Sequence, residues 1–136
     1  MSRFSANALP HLLLQVFPAV FLAILFLQSG LDKVFDWNGN LKWLSGHFAK
    51  SPLKHFVPPM LGAITVVEVL AGSTSAAGAL QLLITGASTL ALVGSVLAAT
   101  GLTCLFFGQR IAKEYAGAAG LVPYFLLALV TMWIER

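Results

Sequence analysis

Charged residues are scarce in this sequence. Only 10% of its 136 residues are Asp, Glu, Lys or Arg, whereas 58% are hydrophobic; a soluble domain carries about 25% charged residues. With so few polar side chains, the chain cannot cover a water-facing surface, so we expect much of its surface to contact lipid or other protein. The eight basic residues are scattered rather than clustered, which argues against nucleic-acid binding.

Residues that could hold a redox cofactor or a metal are scarce as well. The one cysteine, Cys104, lies in an apolar run, so it can form neither an intrachain disulfide nor a Cys-x-x-Cys pair, and we expect a small buried hydrophobe. His11, His47 and His55 all lie outside the centres of the apolar runs. A bis-histidine haem needs two facing imidazoles at depth. We therefore expect no metal, haem or covalently bound cofactor.

Long uncharged runs are abundant. Residues 12–31 carry no charge, and this length suffices for an α-helix to cross the hydrocarbon core. The run ends without a small-residue cleavage motif, so we expect a retained span rather than a signal peptide. Residues 57–109 carry one charge and are long enough for two spans with a turn near 78–86. The sequence thus predicts an all-α integral membrane protein, a single domain (1–136) with four transmembrane helices at 12–31, 58–79, 84–107 and 115–134.

The link between the first two predicted spans has a different character. Residues 32–59 contain six charged residues interleaved with aromatic ones. Within this link, residues 40–50 place apolar side chains at helical spacing opposite Lys42. The pattern predicts a short amphipathic helix in the headgroup region, with Trp43 as its interfacial anchor.

The basic residues also predict an orientation. Arg3 and Arg136 fall at one end of the predicted bundle, and the two links at the other end carry six: Lys33, Lys42, Lys50, Lys54, Arg110 and Lys113. Since basic residues are enriched on the cytoplasmic side, we expect both links in the cytoplasm and both termini outside.

Glu68 is the principal candidate for a functional residue. It lies near the middle of an otherwise uncharged span, where an ionised carboxylate costs about 2.5–3.5 kcal/mol on insertion scales. The side chain must therefore be neutral, paired or reached by water. A neutral acid could carry a proton or donate a hydrogen bond to a ligand, whereas a paired one could simply order the bundle.

Polar residues near the link complete the predicted ligand-binding set. Gln28, Asp32 and Asp36 recur every four residues and so share a helix face. This polar strip could meet Arg110, which is followed by Tyr115, or a ligand head group. The alternatives are local salt bridges at a helix end for the acids and a headgroup anchor for the arginine.

Small residues at four-residue spacing mark candidate helix contacts. Gly94 and Ala98 lie in the third predicted span, and Ala112, Ala116 and Gly120 at the start of the fourth. Such residues allow helix backbones to approach closely in membranes.

Two segments give the chain a resemblance to a known family. In FLQSGLDKVFDWNGNLKWLSGHFAKSPLKHFVP (26–58), an apolar helix ends in glycine, then lysine, and an aromatic-rich link leads to a proline; the corresponding residues are Gly30, Lys33, Trp37, Trp43 and Pro58. The segment VVEVLAG adds Glu68 followed four residues later by Gly72. With FFGQRIAKEYAGAAGLVPYFLLALV near the end of the chain, the sequence resembles the DoxX-like (DoxX/DoxD-related) family of small bacterial membrane proteins over roughly residues 16–132.

The resemblance implies a four-helix bundle in the bacterial inner membrane, in some branches a subunit of a quinone-linked redox complex. We therefore expect a quinone-associated membrane subunit without independent catalytic activity. Its candidate ligand-binding residues are Glu68, Gln28, Asp32, Arg110 and Tyr115, and its candidate structural residues are Lys33, Trp43, Gly72, Gly94 and Ala98. The alternatives are a non-catalytic assembly subunit of a larger membrane complex and a binder of lipid or another small molecule.

Overall fold

The computed structural model describes residues 8–136, which form six α-helices and, within that range, no strand. The helices are α1 (Leu9–Phe35), α2 (Trp37–His47), α3 (Val57–Thr85), α4 (Thr89–Ile111), α5 (Tyr115–Gly120) and α6 (Val122–Glu135). Four stretches are long and apolar enough to cross a membrane: α1, α3, α4 and, taken together, α5 and α6. The predicted all-helical class with four such helices is confirmed, and these helices are compatible with a multi-pass membrane protein.

The four long helices form an up-and-down bundle. α3 lies between α1 and α4 and shares its largest interfaces with them, while α6 packs against α4 and closes onto α1. Neighbouring helices run antiparallel. Gly30 of α1 meets Val69 of α3, for instance, whereas the earlier Leu27 meets the later Gly72.

The helices on either side of α3 approach it to backbone contact. A Cβ atom placed on Gly72 would lie 2.6 Å from the backbone nitrogen of Leu27, and one on Gly30 would lie 3.0 Å from that of Val69. On the α4 side, Gly94 lies against the backbone of Ser75, and Ala98 is completely buried. Small residues therefore set the spacing of α1, α3 and α4, as glycine does in pairs of membrane helices.

The fourth span is packed differently from the prediction. Ala116 is exposed and a Cβ on Gly120 would meet nothing within 4 Å, so the predicted close approach at these residues is wrong; Ala118 is the buried residue of this segment. The helix also breaks at Leu121, because Pro123 occupies the first turn of α6 and has no N–H to continue the preceding helix.

An apolar interior holds the bundle together. One cluster of buried side chains draws on all four long helices and includes Leu22, Phe26, Leu102 and Ala128. A second cluster, including Leu12 and Leu82, fills the end near the α3–α4 turn. Large apolar side chains also cover the outer surface of the bundle: Phe17, Phe21, Ile24, Val66, Leu80, Ile84, Leu126 and Val130 are all at least half exposed. Monomeric soluble proteins rarely expose so continuous an apolar surface.

Several helix boundaries depart from the predicted ones, most clearly at the α3–α4 turn and at the start of α2. α3 continues to Thr85 and ends where Gly86 adopts φ 78°, a left-handed conformation that glycine adopts readily. α4 therefore begins at Thr89, five residues after the predicted start of the third span at residue 84. α2 begins at Trp37 rather than at residue 40, since Asp36 alone interrupts the helix after α1.

Replacing Gly72 with alanine should weaken the α1–α3 contact. The added methyl group meets the backbone of Leu27 rather than a side chain that can rotate away, so we expect a loss of about 1–3 kcal/mol of unfolding free energy. Thermal unfolding of the detergent-purified protein measures it. Gly120→Ala, where the methyl group meets open space, is the matched control. Equal melting temperatures for the two variants would contradict the close approach of α1 and α3 at Gly72.

Candidate functional site

The two polar links meet at one end of the bundle, referred to below as the α2 end. Nε2 of His47 and Oε1 of Gln109 form a hydrogen bond of 2.8 Å between α2 and the last turns of α4. Phe48 is buried against the same region, 3.5 Å from the Cβ position of Gly108. Trp43 stacks on the His47 ring at a centroid distance of 4.8 Å. These contacts fix α2 across the ends of α3 and α4.

A cavity of about 670 Å³ lies beneath α2, between it and the facing sides of α3 and α4. Most of its lining is apolar, with Leu44, Met60, Ile64, Val67 and Phe107 among the contributing residues. Lys33, Asn40, His47 and Gln109 supply the larger polar side chains. This α2 cavity has the composition typical of small-molecule sites, an apolar slot with a few fixed polar groups.

Glu68 is paired rather than solvated. Its Oε1 lies 2.9 Å from Nζ of Lys33, and the two side chains are 1% and 15% exposed. The carboxylate oxygen has no donor in hydrogen-bond geometry, so the contact is chiefly electrostatic attraction, while the ammonium donates a hydrogen bond of 2.9 Å to Oγ of Ser29. Of the three states expected for this acid, the structure has the paired one, in the only ion pair among residues 8–136.

The ion pair connects the bundle core to the α2 cavity. Lys33 contributes to the cavity lining, whereas Glu68 is wholly buried between α1 and α3. Gly30 makes the approach possible, since Cβ of Glu68 lies 3.3 Å from the position that a Cβ of Gly30 would take. The lysine is therefore held at the wall of the cavity by an acid that is itself out of reach of solvent.

The other predicted ligand-binding residues do not join this site. Gln28 and Asp32 are exposed, and Oδ2 of Asp32 accepts a hydrogen bond of 3.3 Å from Asn40 rather than pairing with Arg110. The Arg110 guanidinium lies over the Tyr115 ring, 4.4 Å from its centroid, and both residues are exposed at the surface. None of these four lines the α2 cavity.

Several residues of the site were not predicted from the sequence. The contact between His47 and Gln109 joins positions 62 residues apart, and no local pattern encodes such a pairing. Cys104, expected to be buried, is an exposed free thiol on the cavity wall; that expectation is wrong because its helix face borders the cavity rather than a neighbouring helix. Only Lys33 could have been predicted from the sequence as a member of this site, because it is the cation nearest to the end of the first apolar run.

A second buried acid lies at the opposite end of the bundle. Glu135, predicted at the far interface, is 1% exposed, and neither of its carboxylate oxygens has a partner that meets strict hydrogen-bond geometry. Its backbone carbonyl accepts a hydrogen bond of 2.7 Å from Ser88 at the start of α4, and the buried Gln15 of α1 lies beside its side chain. This residue ties the end of α6 to α1 and α4.

Removing Lys33 from the central ion pair should destabilise the protein more than removing the charge of Glu68. Lys33→Met leaves the buried Glu68 carboxylate unpaired and should cost about 3–5 kcal/mol, whereas Glu68→Gln leaves a partly exposed lysine that can reach the α2 end and should cost less. The double variant Lys33→Met/Glu68→Gln should recover most of the loss. A double-mutant cycle of unfolding free energies in detergent tests this, and strictly additive effects would contradict the coupling.

Glu135→Gln should stabilise the protein. A neutral amide costs less to bury than a carboxylate without donors, and its N–H groups can bond to Gln15 nearby; the gain should be on the order of 1 kcal/mol. The melting temperature in detergent measures it. Glu114→Gln, at an exposed position, serves as the control, and a lower melting temperature for Glu135→Gln alone would contradict the unpaired state of this acid.

Comparison with known proteins identified no relative of this chain. No family model matches the sequence, and no curated protein or solved structure matches it significantly.

Proposed function

We propose that this chain is a multi-pass protein of a bacterial inner membrane that binds an isoprenoid quinone in the α2 cavity, as a subunit of a larger redox complex. The observation that carries the proposal is the combination of an apolar cavity of about 670 Å³ with a buried ion pair at its wall. The chain's role is to bind and position the quinone, and the electrons come from a partner subunit.

The cavity matches the chemistry of a quinone head group. Its volume falls in the range of about 300–1,000 Å³ that holds most small ligands, and its polar groups lie near the α2 end, as a ring with two opposed carbonyl oxygens requires. The Lys33 ammonium would donate a hydrogen bond to one carbonyl. Asn40, which donates to Asp32 and Asp36, or His47, which bonds to Gln109, would donate to the other carbonyl in exchange for its present partner. Met60, Ile64 and Phe107 give the flat ring an apolar enclosure.

Glu68 has a supporting role in this proposal. A free ammonium group beside an apolar cavity would be costly to desolvate, and the buried carboxylate 2.9 Å away offsets that cost. The pairing also restrains Lys33, which has four rotatable side-chain bonds, so less conformational freedom is lost when it donates to a ligand. Glu68 thus acts through Lys33 rather than by touching the quinone.

The placement of charge supports a membrane orientation. The exposed basic residues of the two links, Lys42, Lys50, Lys54, Arg110 and Lys113, all belong to the α2 end, which would face the cytoplasm. α2 would then lie in the headgroup region, with Trp43, 63% exposed, as its anchor. Arg136 belongs to the opposite end, with both termini outside; Arg3 lies outside the described residues.

Filling the α2 cavity should weaken quinone binding without disturbing the bundle. Ala63→Trp places an indole in the cavity, and the resulting clash should lower the quinone that co-purifies in mild detergent roughly tenfold, equivalent to about 1.4 kcal/mol. Ala77→Trp changes an alanine that is equally exposed on α3 but does not line the cavity, and should retain the quinone. Extraction followed by mass spectrometry measures the amount.

Cys104 provides a second measurement, because it is the chain's one cysteine and lies on the cavity wall. Added ubiquinone should slow its labelling by a maleimide reagent in the unaltered protein and in Ala77→Trp. A protein that purifies with a phospholipid in the cavity instead of a quinone would contradict the proposal and favour a lipid binder. A protein whose Cys104 is labelled equally fast with and without quinone would favour an assembly subunit.

A further inference from the structure

A second hollow adjoins the α2 cavity on the outer surface of the bundle. It has a volume of about 220 Å³ and lies between α4 and α6. Its lining is almost wholly apolar and consists of Leu102, Thr103, Phe106, Leu121, Val122 and Phe125. It is called the α4–α6 groove below.

The groove and the α2 cavity share part of their walls. Thr103 and Leu121 line both of them. Leu121 is the residue at which α5 gives way to α6, and Pro123 in the first turn of α6 prevents a continuous helix there. The break in the fourth span therefore lies where the two hollows meet.

The two hollows differ in polarity in the way that the two parts of an amphiphile do. The α2 cavity carries Lys33, Asn40, His47 and Gln109, whereas the groove offers the hydroxyl of Thr103 alone, and that hydroxyl already donates to the carbonyl of Ala99 at 2.8 Å. A ligand that spans both would place a polar head in the α2 cavity and an apolar chain in the groove.

We propose that the α4–α6 groove holds the isoprenoid tail of the ligand whose head group occupies the α2 cavity, so that the protein selects long-tailed quinones over tail-less ones. This inference rests on the function proposed above and specifies the class of ligand. The tail leaves the head-group site past Thr103 and Leu121 and runs along Phe106 and Phe125 towards the lipid. The selectivity comes from shape, because membrane lipid is as apolar as the groove.

Filling the groove should separate tail binding from head-group binding. Val122 lines the groove but not the α2 cavity and is 43% exposed, so Val122→Trp adds an indole to the groove at a position open to lipid. Two probes are compared: ubiquinone with its full isoprenoid tail, and the same dimethoxy-methyl-benzoquinone head group without a tail. The half-protecting concentration of each is read from the rate of Cys104 labelling in detergent micelles.

The expected result is a roughly tenfold weaker binding of full-length ubiquinone to Val122→Trp, in the range that misfit of a small apolar group causes, with unchanged binding of the tail-less probe. Val130→Trp, on an exposed part of α6 outside both hollows, should bind both probes as the unaltered protein does. Phe106→Ala removes a wall of the groove instead of filling it. It should likewise weaken the binding of full-length ubiquinone and leave the binding of the tail-less probe unchanged.

The outcomes separate this inference from the proposed function. If the unaltered protein binds both probes and Val122→Trp and Phe106→Ala bind full-length ubiquinone as tightly as before, the tail lies elsewhere and the inference is overturned while the proposed function stands. Equal weakening of both probes would overturn it as well, because the groove would then act on the head-group site. If the unaltered protein binds neither probe, the proposed function fails and the inference with it.

Discussion

The buried ion pair between Lys33 and Glu68 is the interaction on which the rest of this structure depends. A carboxylate that is 1% exposed inside an apolar bundle needs a compensating charge, and the last turns of α1 supply it at 2.9 Å. The pairing fixes the register of α1 against α3, and Gly30 provides the space for it. The same lysine reaches the wall of the α2 cavity, so one interaction serves both packing and the candidate site.

Close packing on both sides of α3 holds the two partners of this ion pair in position. Gly72 brings the backbones of α1 and α3 together on one side, and Gly94 does so for α3 and α4 on the other. α3 is consequently held between two neighbours at backbone distance, whereas α6 makes smaller interfaces and α5 is separated from it at Leu121. The more closely packed half of the bundle carries the ion pair, and the half with smaller interfaces borders the groove proposed to receive a ligand tail.

The α2 helix converts an open end of the bundle into a partly covered cavity. It follows α1 after a single interrupting residue, Asp36, and its far end is fastened by the hydrogen bond between His47 and Gln109 and by the buried Phe48. Without that covering helix the apolar ends of α3 and α4 would lie exposed at this end of the bundle. With it, the bundle combines an apolar slot with polar side chains at its rim.

The sequence by itself determined the helical class and the four apolar helices, and it identified Glu68 as a charge within an apolar run that needs compensation, because hydropathy and the cost of such a charge are local properties. It also indicated Gly72 and Gly94 as small residues between helices. Only the tertiary structure decided that Lys33 is the partner of Glu68, that Cys104 borders a cavity, and that Glu135 is buried. Those facts depend on which helix faces meet and on where a helix is interrupted, as at Leu121. The sequence cannot show them, because contacts between residues far apart in the chain leave no pattern in either segment alone.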